Sequence, residues 1–422
     1  PAILGAAGMD VGAVFTATAV SAIIMTLLLN ILGIIVVISG LYLFSENKEK
    51  VDKKLIAKAL LAQFVLVFLL VKFPLGQNII RVVSDFVTNV LSYGFEGVAF
   101  VFGALTDDSA GYIFAISVLA NIVFTAALVA ALYYLGVINF IVKLIGGTIQ
   151  KLFGTSKVES FVAVANMFLS QTESPILVSR YLPTMTRSEL LILLISGMGS
   201  MSASVLMGYV GMGIPMEYLL IAGALVPLSS IIVSKLLIPE TNKEAVVENV
   251  VMERKGGHTN IMSAISEGAS NGVQLAIGIG GSLIAITGLV ALVNGALGVV
   301  GLSLQQILSY VFAPLAYLMG INPDNILTAG QLLGSKMVLN EFVAYGDLGP
   351  IIGSFDYRTG LVISIALAGF ANISSIGICI SGISIFCPER RGEISDIAFK
   401  GMIGGFLVSS LSAMIVGLLL LF

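Results

Sequence analysis

The chain is built of long apolar runs, and its polar residues fall in two different places. Runs long enough to cross a bilayer need about 20 residues; they occur at 13–44, 55–73, 112–135, 189–211, 217–238, 273–299, 359–386 and 398–421. Eight spans are therefore predicted. Some polar stretches, such as "SENKEKVDKK" after the first run, separate spans and are loop sequence. Others interrupt the runs themselves: "SQTESP" at 170–175, "SGMGSMSAS" at 196–204 and "GFANISS" at 369–375.

Two segments fail as spans. Residues 158–182 are flanked by Lys151 and Lys157 on one side and Arg180 and Arg187 on the other, all assigned to one membrane face. The segment breaks at "SQTESP" into halves of about a dozen residues or fewer. At 1.5 Å per residue, neither half crosses about 30 Å of hydrocarbon. A re-entrant helical hairpin entering from the cytoplasm is predicted instead. Residues 323–349 read as its counterpart from outside, bounded by Pro323 and Pro350, broken near Gly334-Ser335 and carrying Glu341 on the second half. Each hairpin precedes an interrupted span and then a plain one, in opposite orientations. The fold class expected is thus an all-α polytopic membrane protein: eight transmembrane helices plus two re-entrant hairpins, in an inverted repeat with broken helices. "NFIVKLIGGTIQKLFG" before the first hairpin alternates apolar and basic positions and suits an interfacial helix. Residues 76–111, with Arg81, Asp85, Glu96, Asp107 and Asp108, are expected on the outer surface.

Lys and Arg set the orientation. The basic loop after the first run goes to the cytoplasm, and both termini to the outer side of a plasma (inner) membrane. Of the 21 basic residues, only Lys72, Arg81, Lys336 and Arg358 then fall off the cytoplasmic side.

Composition agrees. Hydrophobic residues are 57% of the 422 and charged residues 11%, against about 25% charged in soluble domains. The net charge of −3 is spread over loops, which argues against nucleic acid as a partner. Cys379 and Cys387 read as inert core thiols, and His258 as a solvated loop residue. No His/Cys ligand cluster can be assembled, so structural zinc, haem and iron–sulfur roles are excluded. The N-terminus lacks the basic region of a cleavable signal peptide.

Unpaired backbone groups and ionisable side chains are costly in hydrocarbon. A helix broken at membrane depth survives where protein or a watery cavity satisfies its freed groups, and inverted repeats with broken helices mark secondary transporters. The breaks here bring together Gln171, Thr172 and Glu173 from one hairpin, Glu341 from the other, and Asn372, Ser374 and Ser375 from the second interrupted span. Individual serines can equally serve close helix packing; the convergent set points to a solute site. Carboxylates and amides suit hydroxyls and ring N–H groups, and Phe370 offers an apolar face. The expected solute is polar with little charge, hydroxylated at one end and a flat heterocycle at the other. Asn166 and Ser200, with carbonyls freed by the breaks, suggest a second site of the kind that holds Na⁺.

"SQTESP", "MTRSEL" at 185–190, "NEFVAY" at 340–345 and "GFANISS", in that order and with "YYLGV" at 133–137 and "PERRGEI" at 388–394, resemble the signature stretches of concentrative nucleoside transporters, bacterial members included. The likeness covers nearly the whole chain. It implies a homotrimer importing nucleosides such as uridine on a cation gradient, by an elevator motion of a transport domain against a scaffold. By motif position it puts Gln171, Thr172 and Glu173 on the nucleobase, Glu341, Asn372 and Ser375 on the ribose hydroxyls, and Val205 and Phe370 at apolar contacts. For Na⁺ it implies the side chains of Asn166 and Ser200, with carbonyls of Leu169, Ser200 and Met201. It further implies scaffold spans 1–3 within 1–136, a first transport repeat at 137–240, a loop with scaffold span 6 at 241–321, and a second transport repeat at 322–422. One departure is Ser170, where the close family motif has Gly before Gln-Thr-Glu.

A proton symporter of the same fold, with Glu173 or Glu341 titrating, is the alternative. An enzyme using the two carboxylates as acid and base lacks a metal cluster, a catalytic His and an activated nucleophile. A passive channel leaves the paired hairpins unexplained.

Overall fold

The computed structural model describes residues 11–107, 111–242, 246 and 258–422, with side chains from Val20 onward. Asp108, Lys243, Arg254 and Lys255 lie outside the described residues. Every regular element among the described residues is helical. The long ones are α1 (Val11–Leu43), α2 (Lys53–Val71), α3 (Pro74–Ser92) with the short α4 (Gly94–Phe102), and α5 (Asn121–Tyr134), which continues a π-helical turn at Ala115–Leu119. After α6 (Val137–Phe153) the chain enters short pieces: α7 (Lys157–Ala165), the single turn α8 (Ser174–Leu177), α9 (Arg187–Gly199) and α10 (Leu206–Gly211). Then come α11 (Met216–Leu237), α12 (Ile261–Gly298) and α13 (Leu304–Leu318). The last set repeats the broken theme in α14 (Ile326–Val338), α15 (Glu341–Leu348), α16 (Tyr357–Leu367) and α17 (Ile373–Ser384), and α18 (Arg391–Leu419) closes the chain.

Eight helical stretches are long and apolar enough to span a membrane, but they are not quite the predicted eight. Pro74–Thr106 qualifies by length and composition, although it is jointed at Tyr93 and buries only one face of α3 (Ile80, Ser84 and Leu91). The predicted span 359–386 is instead two half-length helices, α16 and α17, separated at 368–372. α13 was not anticipated. A Ser303–Gln306 capping box starts it, and it packs along α14.

The broken elements occupy the core. α9, α11 and α18 are almost wholly buried, whereas α1 and α12 expose long apolar faces such as Ile23, Met25, Leu28, Ile277, Ile284 and Leu292. Those faces have the character of surfaces that meet lipid or protein. Close approach in the core depends on small residues. Cβ atoms placed on Gly268 and Gly272 of α12 would lie 2.6 Å from Ala130 Cβ and 2.7 Å from Val123 Cα of α5, so that pair packs backbone to backbone.

Two expectations are corrected. The second hairpin does not break at Gly334-Ser335: α14 runs through both and breaks at Leu339-Asn340. Gly334 is a packing glycine, where a Cβ would fall 2.6 Å from Leu308 Cβ of α13. His258 is not freely solvated; its ring is tucked in, with Nδ1 3.4 Å from Glu267. Cys379 and Cys387 are both free and buried.

Candidate substrate and cation site

The signature stretches are helix ends. Asn340 caps α15 by accepting from Val343 N–H at 2.9 Å, and Asn372 caps α17 by accepting from Ser375 N–H at 3.0 Å. Glu173 accepts from Ser170 N–H at 2.8 Å and closes the turn of the first hairpin. Thr186 and Glu189 form a reciprocal capping box that starts α9. Each helix end leaves about four backbone groups without intrahelical partners, and these side chains satisfy some of them where water is scarce.

The breaks are fastened to one another. Phe370 N–H donates to Ser200 C=O at 3.2 Å, and Ala203 N–H to Phe168 C=O at 3.0 Å. Gly369, at φ +100°, lies so close to the end of α9 that a Cβ there would be 2.7 Å from the Gly199 carbonyl oxygen. Only glycine combines that backbone angle with that proximity. The first hairpin, the first broken span and the second broken span thus meet at one point.

A cavity of about 330 Å³ opens beside it. Gln171 and Thr172 line it from the first hairpin, Val205 from the first broken span, Glu341 from the second hairpin, and Phe370, Asn372, Ser374 and Ser375 from the second broken span. Gln274 and Ser282 of α12 form part of the opposite wall. Glu341 is buried at the first turn of α15. Its Oε1 accepts from Tyr209 Oη at 3.2 Å and its Oε2 from Asn372 Nδ2 at 3.3 Å. A helix N-terminus favours negative charge, and α15 and α17 both begin at this cavity. Gln171 spans the gap between repeats: Nε2 donates to Ser375 Oγ at 3.3 Å, and Oε1 accepts from Cys379 Sγ at 3.3 Å. Amides, a carboxylate, hydroxyls and one aromatic face therefore converge, a set able to bind several hydroxyls and a heterocycle at once.

Glu173 is the exception among the expected residues. Its carboxylate turns back onto Ser170 N–H, and it lines a separate cleft of about 110 Å³ with Tyr133, His258 and Asn271. Ser170, in the departing position, places its Oγ 3.1 Å from Thr172 Oγ1.

Asn166 caps the C-terminus of α7. Its Nδ2 donates to Ser196 Oγ at 2.8 Å, in the last turn of α9. Its Oδ1 is buried and accepts no hydrogen bond among the described residues. A buried acceptor left unpaired costs about 1–3 kcal/mol, and a cation at the carbonyl-rich end of α9 would satisfy it. Ser200 follows directly as the cap of α9, and Leu169 and Met201 are buried in the adjoining breaks. The donor set is neutral oxygen, which suits Na⁺.

Three participants escaped sequence reasoning. Tyr209 and Cys379 lie in apolar runs, where nothing but the need of a buried hydroxyl for a partner marks Tyr209 and nothing marks the Cys379 thiol. Lys336 stands in the sequence only as one of four bases off the cytoplasmic side, and it is fully buried.

The chain matches the family descriptions "Na+ dependent nucleoside transporter N-terminus" over 32–105, "Nucleoside recognition" over 115–216 and "Na+ dependent nucleoside transporter C-terminus" over 218–417. It is 36% identical to a nucleoside permease NupC of Helicobacter pylori, over 94% of this chain and 98% of that one. It is 33% identical to human solute carrier family 28 member 3, over 92% of this chain and 59% of that protein. Among solved structures, CNTnw in an inward-facing substrate-bound state superposes with a TM-score of 0.89 at 38% identity, covering 93% of this chain and 99% of that one. A CNTnw double variant in an outward-facing state gives 0.88. The chain belongs to the concentrative, Na⁺-dependent nucleoside transporter family.

Proposed function

We propose that this chain is a symporter that imports nucleosides with Na⁺. The observation that carries the reading is the Asn166 amide oxygen, buried with no donor among the described residues at the carbonyl end of α9. The breaks fastened there also shape the solute cavity, so a cation that stiffens the turn of the first hairpin would stiffen Gln171 and Thr172 with it. Binding of cation and solute is then coupled through one shared backbone junction, the form that coupling takes in thermodynamic terms.

In this reading the ribose hydroxyls meet Glu341, Asn372 and Ser375, and the base meets Gln171 and Thr172, with Val205 and Phe370 on its faces. Glu173 acts on the base only through the turn it closes. The half-length arms α7, α14, α16 and α17 (about 14–20 Å at 1.5 Å per residue) enter and leave the membrane without crossing it, as re-entrant hairpins and broken spans. A moving body contains both hairpins with α9–α11 and α16–α18, and it slides against α5 and α12. Spans 1 and 2 travel with it. Gln63 of α2 donates to Ser229 of α11 at 2.9 Å and to Ser412 of α18 at 3.4 Å, and Glu46 after α1 binds Arg187 and Lys400. This differs from the scaffold expected for those spans, because buried polar bonds are broken less readily than apolar faces slide. The exposed apolar face of α12 would pack between copies in a homotrimer, within the plasma membrane.

Radiolabelled uridine uptake into proteoliposomes tests the proposal, with an inward Na⁺ gradient and with choline in its place. Accumulation that needs Na⁺ is the expected result. Uptake indifferent to choline but driven by acid outside would move the coupling to protons, with the buried Glu341 as the group to titrate. Absence of uridine uptake under both gradients would refute the substrate.

A further inference from the structure

Lys336, in the last turn of α14, has no exposed surface. Its Nζ donates to Ala366 C=O and Ala368 C=O at 2.8 Å each and to Ser409 Oγ at 2.6 Å. Ser409 directs its own hydroxyl proton to a backbone carbonyl, with Ala366 O at 3.1 Å and Phe406 O at 3.0 Å. It therefore only accepts from Lys336, and all three hydrogens of an ammonium are used. The ring of Phe406 lies 5.1 Å from Nζ, within cation–π range.

Ala366 and Ala368 are at the C-terminal end of α16. The last carbonyls of a helix lack intrahelical partners and carry partial negative charge. The corresponding place in the first repeat is the end of α9, where Ser200 follows Gly199 as Ala368 follows Leu367. There, among the described residues, no side-chain cation arrives and Asn166 Oδ1 has no hydrogen-bond partner.

We propose that Lys336 is a tethered cation: its ammonium holds the end of the second broken span as an exchangeable cation holds the first, which confines ion exchange to one repeat. The proposal rests on the cation reading of the α9 site. It makes Lys336 a positioning residue, which acts on the solute through the Gly369–Asn372 break and touches none itself. Removing the side chain should open a small pocket walled by three oxygens, fit for a monovalent cation. Filling the space without charge should not restore function.

The test uses full-length protein, purified and reconstituted, in wild-type, Lys336→Ala and Lys336→Gln forms. Uridine uptake should fall roughly tenfold or more in both variants, the scale of losing one hydrogen bond to a charged group. Added methylammonium should restore uptake and raise the melting temperature of the Ala variant, while leaving the Gln variant and the wild type unchanged. Wild-type uptake in either variant would overturn the proposal. So would a folded Ala variant whose uptake and melting temperature ignore methylammonium. Failure of both variants to fold, with or without the amine, would also count against it, since Lys336 would then be a general packing residue. The wild-type Na⁺ requirement is read separately. If Na⁺ coupling fails there, amine-dependent melting of Lys336→Ala still decides the role of the lysine.

Discussion

The C-terminal ends of α9 and α16 come together through the Phe370–Ser200 hydrogen bond, and they differ in what meets their carbonyls. At α9 the neighbouring Asn166 offers another oxygen, so negative potential and lone pairs accumulate with nothing among the described residues to answer them. At α16 a lysine answers them with two hydrogen bonds and gives its third to Ser409 of α18. An inverted repeat gives two equivalent places for charge; in the arrangement proposed above the chain fills one covalently and leaves the other for the medium. On the proposed reading, the side with the unanswered oxygens is the side that responds to ion concentration.

The solute cavity joins the two sides, and breaking it should give the largest effect. Glu341 belongs to the second repeat, yet it accepts from Tyr209 of the first and from Asn372 of its own. In Glu341→Gln the charge is lost and one acceptor oxygen becomes a donor facing one of those two donors. Each hydrogen bond to a charged group contributes about 1.5–3 kcal/mol, and each 1.4 kcal/mol is about tenfold. Uridine uptake should drop by about 100-fold or more, while Na⁺-dependent stabilisation of the purified protein persists because the α9 end is intact. Uptake near wild type would show that the two repeats do not share a solute through this carboxylate.

A smaller effect should follow at the exchangeable site. Asn166→Ala deletes one neutral oxygen ligand, a contribution of about 1–1.5 kcal/mol. The Na⁺ concentration for half-maximal uridine uptake should rise about tenfold, with the maximal rate at saturating Na⁺ little changed. Ser196→Ala removes only the partner of the Asn166 amide nitrogen and is the control; its Na⁺ requirement should stay near wild type. Equal shifts in the two variants would mean that Asn166 serves packing, and the contrast between the α9 and α16 ends would lose its basis.

Much of this contrast is legible in the sequence, for a definite reason. Asn, Glu, Gly and Ser inside apolar runs are there to satisfy or permit helix ends, so "SQTESP" and "GFANISS" mark real breaks, and the residues beside them reach one cavity. Lys336 was missed by the same logic that worked elsewhere. Counting basic residues locates loops only when every base is solvated, and this one is solvated by carbonyls from a segment 30 residues away. Gly334 was misread because a glycine in a membrane helix either bends it or lets a neighbour close in, and only the presence of α13 decides between them. Glu173 sits in the right turn, but one hydrogen bond to Ser170 N–H aims it elsewhere, and spacing carries no information about that.

The mildest test concerns how the two repeats are clasped at their other ends. Glu46, in the loop after α1, accepts from Arg187 at the start of α9 through two hydrogen bonds of 3.1 Å and from Lys400 of α18 at 2.5 Å; its own N–H donates to Leu237 C=O at 2.9 Å. Partial burial pushes its carboxyl up, but the hydrogen bonds from Arg187 and Lys400 outweigh that and hold it below its ordinary 4.5. A depressed carboxyl contributes stability that is present above its unfolded pKa and is lost as pH falls through the folded value. The cluster is open to solvent, where such pairs contribute about 0.2–1 kcal/mol, so Glu46→Gln should lower the melting temperature by about 1–2 °C at neutral pH. That difference should hold steady down to about pH 5 and close below about 4.5, and added salt should shrink it. The buried Lys336 cluster, shielded from solvent ions, should show no such salt dependence. A Glu46→Gln effect that ignores both pH and salt would place the clasp in the Leu237 backbone bond, and the charges around Glu46 would have no part in joining the repeats.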